Sequence, residues 1–113
     1  MVVDTELSDL EVDRIFHALA DATRRDIVRR TLTTDASVSE LAAAYSMSFA
    51  AVQKHVAVLE GAGLVTKKPQ GRSRIVRADA DTIARARTLL DAYAELWTSR
   101  IDRLDALLAD DEN

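Results

Sequence analysis

The fold is decided by residues 37–77, SVSELAAAYSMSFAAVQKHVAVLEGAGLVTKKPQGRSRIVR. Their pattern predicts two short amphipathic helices, joined by a turn of about three or four residues and followed by a basic hairpin. Two helices joined in this way fit the major groove of DNA, where the second helix meets the base edges. The stretch therefore predicts a nucleic-acid-binding unit.

Polar residues and glycines mark the ends of these two helices. Ser37, with Glu40 three residues later, forms a capping box that begins the first helix, and Ser48 caps the second. The glycines within residues 61–63 mark the end of the second helix, because glycine takes the left-handed conformation at little cost. We therefore predict a helix-turn-helix unit over residues 37–60.

A two-stranded hairpin, here termed the wing, is expected over residues 64–78. Residues 64–68 and 74–78 have the pattern of strands, and the glycine within residues 69–73 permits a turn. Arg72 lies at the predicted tip, where an arginine can enter a narrow minor groove. A hairpin with basic residues only for solubility is the alternative. The positive residues of the wing, which no negative residue accompanies, are Lys67, Lys68, Arg72, Arg74 and Arg77.

Three further helices are predicted from caps and from apolar residues at helical spacing, the last of them over residues 79–110. The chain is thus expected to be mainly α: a single winged helix-turn-helix domain over residues 1–113, with about five helices and a two-stranded wing. The expected caps of the three further helices are Ser8 or Asp9, Asp21, and Asp79 or Asp81. The residues expected to face the core are Val12, Ile15, Phe16, Leu19, Ile27, Val28, Leu32, Val38, Leu41, Ala42, Tyr45, Phe49, Val52, Val56 and Leu59.

The composition is that of a helical domain, with 48% hydrophobic and 4% aromatic residues in a chain of 113. Such a length supports one hydrophobic core without disulfides or metal. The absence of cysteine excludes disulfides, thiolate metal sites and cysteine catalysis. No stretch approaches the roughly 20 apolar residues of a membrane span, and the acidic N-terminus lacks the pattern of a signal peptide. A cytoplasmic protein without membrane contact is expected.

The net charge of −4 is unevenly distributed along the chain. Residues 1–47 carry a net charge of −4 and residues 79–113 a net charge of −5, whereas residues 48–78 carry +5. A local basic surface matters more for attraction to phosphate than the total charge does. The segment whose pattern predicts DNA binding is therefore also the positive one.

The second helix of the motif, here termed the recognition helix, turns small and polar residues away from its apolar face. Gln53 can pair with adenine or another base edge, and Lys54 can reach guanine or a phosphate. Ser48 can hold a phosphate through its hydroxyl and the neighbouring amides. An ordinary alanine-rich surface helix is the alternative. The residues predicted to contact DNA are Ser48, Ala50, Gln53, Lys54, His55, Lys67, Lys68, Arg72 and Arg74.

Arg24 and Arg25 have two open roles in the predicted second helix. They can reach a phosphate, or they can form an ion pair with Glu40 or Glu60 within the protein. The sequence does not decide between these roles.

The sequence resembles the ArsR/SmtB-type winged-helix transcriptional repressors over roughly residues 10–108, nearly the whole chain. The resemblance implies a homodimer that binds an inverted-repeat operator and represses transcription. Lys54 and His55 match the family's usual basic and histidine positions, whereas Gln53 replaces a common serine and leaves the base preference open. The phrases that carry the resemblance are DATRRDIVRR (21–30), SVSELA (37–42), AVQKHVAVLEGAGLV (51–65) and the hairpin around QGR (70–72).

The last helix carries an apolar stripe that is too long to be covered by one small domain. In the resembling family the corresponding helix packs against the first helix and its symmetry mate, which implies a dimer interface here. A twofold dimer sets its recognition helices about 34 Å apart, one turn of DNA. An intramolecular core is the alternative for part of the stripe. The predicted interface residues are Leu90, Tyr93, Trp97, Ile101, Leu104 and Leu108.

A response to metal ions is not expected. Many members of the resembling family bind metals through cysteines or through Asp and His residues of the last helix. The histidines of this chain are His17 and His55, both outside that helix, and Asp102 and Asp105 alone make a poor transition-metal site. No metal and no cofactor are therefore predicted. An unidentified small-molecule inducer, a partner protein, or control by the repressor's own concentration remain open alternatives.

Two other functions compete with DNA-dependent regulation. A winged-helix module that binds proteins and not specific DNA could use the acidic helices as its interface, but the positive residues 48–78 argue against it. An enzyme is not expected, because no nucleophile elbow, glycine-rich phosphate loop or paired-carboxylate pocket is present in the sequence.

Overall fold

A computed structural model describes residues 7–111, and the ends of the predicted domain, residues 1–6 and 112–113, lie outside the described residues. The described residues form five helices and three strands, which confirms the predicted winged helix-turn-helix architecture. In chain order these elements are α1 (Asp9–Leu19), α2 (Ala22–Thr33), β1 (Ala36–Ser37), α3 (Val38–Ala43), α4 (Phe49–Gly61), β2 (Val65–Gln70), β3 (Ser73–Ala78) and α5 (Ala80–Asp111).

The helices begin at side-chain caps that the sequence predicts. Ser8 caps α1, and the carboxylate of Asp79 accepts two amide N–H groups of the first turn of α5. Asp21 caps α2 and Ser48 caps α4. The side chains of Ser37 and Glu40 each accept the backbone N–H of the other residue at 3.0 Å, which is the predicted capping box. Local hydrogen bonds therefore set where each of these helices starts.

The core lies between the first four helices and the inner face of the sheet. Each of its large aliphatic side chains stabilises the fold by about 1.5–3 kcal/mol relative to exposure. The side chains that are almost completely buried are Ile15, Ile27, Leu41, Val52, Val56, Leu59, Leu64, Val65 and Val76.

Three apolar residues that we expected in the core are exposed instead. They are Phe16 in α1, Leu32 in α2 and Phe49 in α4. Thr31 is buried in place of Leu32, and its hydroxyl donates a hydrogen bond of 2.8 Å to the carbonyl of Ile27. A threonine satisfied in this way can occupy an apolar interior. The prediction was wrong because helical spacing defines a broad stripe, whereas only a narrow part of it meets other elements.

The sheet has three strands in the order β1–β3–β2, one more than predicted. The extra strand is the two-residue β1, in which Ser37 pairs with Ile75 of β3. The wing strands are also longer than predicted, so the turn between them contains only Gly71 and Arg72. Pro69 is tolerated because β2 is an edge strand. Since Ser37 also caps α3, the wing is joined directly to the start of the helix-turn-helix unit.

Helix α5 extends beyond the rest of the molecule. Its 32 residues span about 48 Å, and the whole described chain measures 73 × 28 × 21 Å. Ala86 and Leu89 are buried, whereas the side chains of residues 93–110 are exposed. None of the helices within residues 7–111 is long and apolar enough to cross a membrane.

Candidate nucleic-acid interface

Helix α4, the predicted recognition helix, has two well-defined ends. The hydroxyl of Ser48 accepts an amide N–H of the first turn at 3.1 Å. At the other end, Gly63 has a φ of 75° and donates its amide to the carbonyl of Glu60, while Leu64 donates to the carbonyl of Leu59. These two bonds form a Schellman motif, whose left-handed residue favours glycine. The caps fix the length of α4 and the point where the chain leaves it.

The two faces of α4 differ in burial along its whole length. Val52, Val56 and Leu59 are completely buried, which anchors the helix to the core. The exposed residues follow the spacing i, i+1, i+4, i+5 and i+8, so they form one continuous strip. Small alanines in such a strip let the backbone approach a partner closely. The exposed strip consists of Phe49, Ala50, Gln53, Lys54 and Ala57.

Phe49 is the residue of α4 for which the sequence-based prediction was wrong. It lies within about 20° of Val56 around the helix axis, and we therefore expected it in the core. Its side chain is 47% exposed. The core covers the helix only from Val52 onward, and the first turn extends beyond it. Because the pattern assigned Phe49 to the interior, sequence reasoning missed it as a site residue, although a first-turn position in a recognition helix could have indicated it.

The connection between α3 and α4 is tied to α2 by a polar cluster. It comprises residues 44–48, one residue more than the longest turn we expected. The Tyr45 hydroxyl donates a hydrogen bond of 2.5 Å to Asp26, and Arg30 donates one of 2.7 Å to the same carboxylate. These bonds hold the pKa of Asp26 well below its usual value, while burial and the Asp26 hydrogen bond raise the pKa of Tyr45 to about 12. The cluster stabilises the start of the recognition helix.

Arg24 and Arg25 bind the C-terminal end of α1. The guanidinium of Arg24 donates hydrogen bonds to the carbonyls of Ala18 at 2.7 Å and His17 at 3.1 Å, and Arg25 donates to the carbonyl of Leu19. Positive charge at a helix C-terminus is favourable. The alternative in which these arginines pair with a glutamate is therefore wrong, because their guanidinium groups bind backbone carbonyls.

His55 lies on the flank of α4 that faces α2. Its Nδ1 is 3.4 Å from Nη1 of Arg24, and its side chain is half-buried. Both groups lie away from the exposed strip of α4. His55 is therefore part of the contact between helices, although its neighbour Lys54 is exposed.

The wing presents different positive residues on its two faces. Lys67 pairs with Val76 of β3, whose buried side chain marks the face toward the helices. Side chains alternate along a strand, so Arg74 shares this face with Lys67, whereas Lys68 lies on the outer face. Only part of the predicted basic cluster therefore faces the recognition helix.

Carboxylates accompany two of the five positive residues of the wing. The Arg77 guanidinium donates to Asp35 at 2.6 Å and holds the pKa of that carboxyl below its usual value. The ammonium group of Lys67 lies 4.0 Å from a carboxylate oxygen of Glu60. The wing itself contains no acidic residue, as its sequence indicates, and both carboxylates come from other parts of the chain.

A groove of about 460 Å³ separates the recognition helix from the wing. It brings together Phe49 and Gln53 of α4 with Lys67, Arg72 and Arg74 of the wing. Ser48, Ala50 and Lys54 lie outside the groove, but they are exposed on the same helix. His55 and Lys68 are not part of it. The groove thus joins hydrogen-bonding, apolar and positive groups on one side of the molecule.

The predicted interface residues of α5 form an uncovered apolar face. Trp97 is 60% exposed and Leu104 is 46% exposed. The Arg100 guanidinium lies 5.7 Å from the centre of the Trp97 ring and so borders the stripe. Large apolar areas of this kind are unusual on a monomer. The exposed large apolar residues of α5 are Leu90, Tyr93, Leu96, Trp97, Ile101, Leu104, Leu107 and Leu108.

Within residues 7–111, no three histidine, aspartate or glutamate side chains lie close enough together to bind a metal ion. His17 lies in α1 and His55 in α4.

Comparison with known proteins identifies the chain. Residues 21–67 match the family described as bacterial regulatory protein, arsR family. An HTH-type transcriptional regulator, Rv2034 of Mycobacterium tuberculosis, is 42% identical over 76% of this chain and 78% of its own length. The crystal structure of the ArsR family transcriptional regulator RHA00566 superposes with a TM-score of 0.77 and 33% identity, covering 82% of this chain and 96% of that chain.

A second solved structure is described as a homodimer. It is the winged helix-turn-helix DNA-binding domain of Mb0332 from Mycobacterium bovis, a possible ArsR-family regulator. It has a TM-score of 0.62 and 25% identity to this chain, covering 79% of this chain and 88% of its own. The fold, the matched segment and the relatives agree: the chain belongs to the ArsR family and is a transcriptional regulator, not an enzyme, with a helix-turn-helix DNA-binding fold.

Proposed function

We propose that this regulator is a homodimeric repressor that binds an inverted-repeat operator in double-stranded DNA. The observation that carries the proposal is the groove between α4 and the wing, which joins the side-chain amide of Gln53 to two arginines. The surrounding segment, residues 48–78, carries a net charge of +5 in a chain of net charge −4. Such a local positive surface attracts phosphate in spite of the total charge.

The exposed strip of α4 is assigned to the major groove. Gln53 is placed to form two hydrogen bonds with one base edge, and Lys54 to reach guanine or a phosphate. Ala50 allows close approach because its side chain is small. Ser48 begins the helix, where its hydroxyl and free amides favour a phosphate. His55 has a supporting role, since its ring contacts Arg24 and lies outside the groove.

The wing is assigned to the DNA backbone and the minor groove. Arg72 occupies the two-residue turn beside Gly71, whose φ is 61°, and so it projects furthest from the core. Arg74 and Lys67 line the groove toward α4, where they neutralise phosphate. Lys68 lies on the outer face and is expected to contribute only to the general positive field.

The dimer is assigned to the apolar stripe of α5. Its exposed leucines, with Trp97 and Ile101, would be buried by a second copy, and Mb0332 is described as homodimeric. Twofold symmetry then sets two recognition helices about 34 Å apart on one side of the duplex. The operator is accordingly an inverted repeat. Repression follows when a dimer bound at a promoter excludes RNA polymerase.

Metal-independent control is part of the proposal. The chain has no cysteine, and within residues 7–111 there is no cluster of three metal-binding side chains. Transition metals need imidazole or thiolate ligands for tight binding. Release from the operator is assigned instead to an unidentified small molecule or partner protein, or to a fall in repressor concentration.

The test is a selection of genomic DNA fragments by the purified full-length protein, followed by gel-shift titration at fixed salt. The expected result is an inverted-repeat site bound at least about 1000-fold more tightly than random duplex. A reporter downstream of that site should be less active when the regulator is expressed. Equal, weak affinity for all duplexes would favour the protein-binding module instead, and activation of the reporter would exclude repression.

A further inference from the structure

Phe49 is an exposed aromatic residue beside the positive residues of the groove. It is the first residue of α4, its side chain is 47% exposed, and it lines the groove together with Gln53 and Arg72. Within residues 7–111, the other large apolar side chains that are about half-exposed lie on α1, α2 and α5. Phe49 is thus the large apolar group exposed at the proposed DNA surface.

The helix geometry places Phe49 beside the base-reading residue. Gln53 follows it by four positions, so the two side chains lie on the same side of α4, one turn and about 6 Å apart along the axis. The N-terminal residues of a recognition helix are those that contact base edges. Neighbouring base pairs are separated by about 3.4 Å along the duplex. The two side chains therefore reach base pairs that are one or two steps apart.

Only one base carries an apolar group in the major groove. Thymine presents its 5-methyl group there, whereas the other three bases present only hydrogen-bonding groups to a side chain at that edge. A phenyl ring cannot satisfy those groups and would desolvate them at a cost. Against a methyl group the same ring gains contact and loses exposed apolar area.

We propose that Phe49 selects thymine in each operator half-site by packing its ring against the 5-methyl group. The thymine lies one or two base pairs from the pair that Gln53 reads. This inference rests on the proposed function, because it requires that α4 enters the major groove. It adds an apolar contact to a recognition surface whose other members act through hydrogen bonds and charge.

The surroundings of Phe49 favour DNA as the partner over another protein. The groove beside it is lined by Lys67, Arg72 and Arg74, which match the charge of a phosphate backbone. The apolar stripe suited to a second copy of the chain lies on α5, a separate element. The positive residues that share the groove with Phe49 therefore match the charge of a duplex.

The test removes only the methyl group. In the operator obtained by selection, each thymine is replaced by deoxyuridine, one symmetry-related pair at a time, and affinities are measured by gel shift. Burial of one methyl group corresponds to about a fourfold gain in affinity. Because each replacement removes two methyl groups, one in each half-site, it should weaken wild-type binding about fifteenfold where Phe49 makes its contact. The Phe49→Ala variant should respond to the same replacement by less than about twofold.

Three variants make the result specific. Phe49→Leu keeps an apolar side chain and should retain part of the methyl dependence. Gln53→Ala should bind more weakly but retain the full methyl dependence at that position. Leu32→Ala removes an exposed apolar residue outside the groove and should match wild type. Circular dichroism and light scattering should show an unchanged fold for each variant, because none of these side chains belongs to the buried core.

The outcomes separate the inference from the function on which it rests. If the operator is bound specifically but no thymine shows a methyl effect that depends on Phe49, the thymine contact is wrong and the repressor proposal stands. An operator without thymine near the pair read by Gln53 would have the same meaning. If no duplex is bound specifically, both proposals are overturned.

Discussion

Tyr45 donates a hydrogen bond of 2.5 Å to Asp26, and this bond joins the connection before the recognition helix to α2. Asp26 also accepts hydrogen bonds from Arg29 and Arg30, so its carboxylate stays ionised and is a strong acceptor. The cap of the recognition helix, Ser48, follows Tyr45 by three residues. The bond therefore helps to set the position from which the recognition helix starts.

Tyr45→Phe should lower the free energy of unfolding by about 1–2 kcal/mol at pH 7. Hydrogen bonds to charged groups contribute about 1.5–3 kcal/mol, and the partial exposure of this site reduces the effect. Urea unfolding measures the change. Tyr93→Phe, which alters the exposed second tyrosine, should have little effect on the monomer fold and serves as the control.

The same pair predicts a pH dependence of stability. The pKa of Asp26 is lowered in the folded protein, first by Tyr45 and then by Arg30. Its contribution is thus fully present above the unfolded pKa of about 3.9 and is lost as the pH falls toward the folded pKa. Wild type should therefore lose more stability than Tyr45→Phe between about pH 5 and pH 2. Parallel curves for the two proteins would contradict this explanation.

Local patterns predicted much of the fold because they describe short-range hydrogen bonds. Ser37 and Glu40 are three residues apart, so the capping box follows from the sequence alone. Strand β1 was missed because its two residues become a strand only by pairing with β3, which lies 38 residues further along the chain in the Ser37–Ile75 pair. Pairing between residues so far apart in the sequence produces no periodic pattern from which β1 could be predicted.

The errors at the candidate site have a related cause. Helical spacing assigned Phe49 to the apolar face, but it does not say where the neighbouring elements end. Arg24 donates hydrogen bonds to backbone carbonyls of α1. Every residue has such a carbonyl, so the sequence does not indicate which ones an arginine binds. The pairing of Arg77 with Asp35 joins residues 42 positions apart. These features depend on the arrangement of elements in space.

Leu104→Lys should convert a dimer to monomers. It places a charge within the proposed interface, where burial of an unpaired ammonium group is strongly unfavourable. Light scattering at micromolar concentration should give the mass of a dimer for wild type and of a monomer for the variant. Ser99→Lys, on the polar side of α5 near Asp91 and Glu95, should stay dimeric. A monomeric wild type would refute the dimer proposal.

Arg72→Ala and Arg77→Ala should separate the two faces of the wing. Arg72 lines the groove, and its loss should weaken binding to all duplexes and reduce the salt dependence by about one phosphate per protomer. Arg77 is paired with Asp35 on the outer face, so its loss should leave both the affinity for DNA and the salt dependence nearly unchanged. Gel-shift titrations at several salt concentrations measure the slopes. Equal slopes for the two variants would argue against the wing contact.

Gln53→Ala should relax base preference at one base pair per half-site. A side-chain amide that forms two hydrogen bonds with a base discriminates by about 1–3 kcal/mol, and alanine cannot form them. Repeating the operator selection with the variant measures the preference at every position. Ala57→Ser changes the same exposed strip one turn later and should leave that preference intact. An unchanged selected operator would show that Gln53 does not read a base.

Zinc, cadmium, nickel and arsenite should not release the protein from its operator. Tight binding of these ions at cellular concentrations needs imidazole or thiolate, and the chain has two histidines and no cysteine. His55 contacts Arg24 in the interface between helices, where a cation would be repelled, and His17 lies in α1. Operator titrations with each metal, with and without a chelator, should give the same affinity. A large loss of affinity at low micromolar metal, if it persists in His17→Ala, would reveal a metal site that includes other ligands and would overturn metal-independent control.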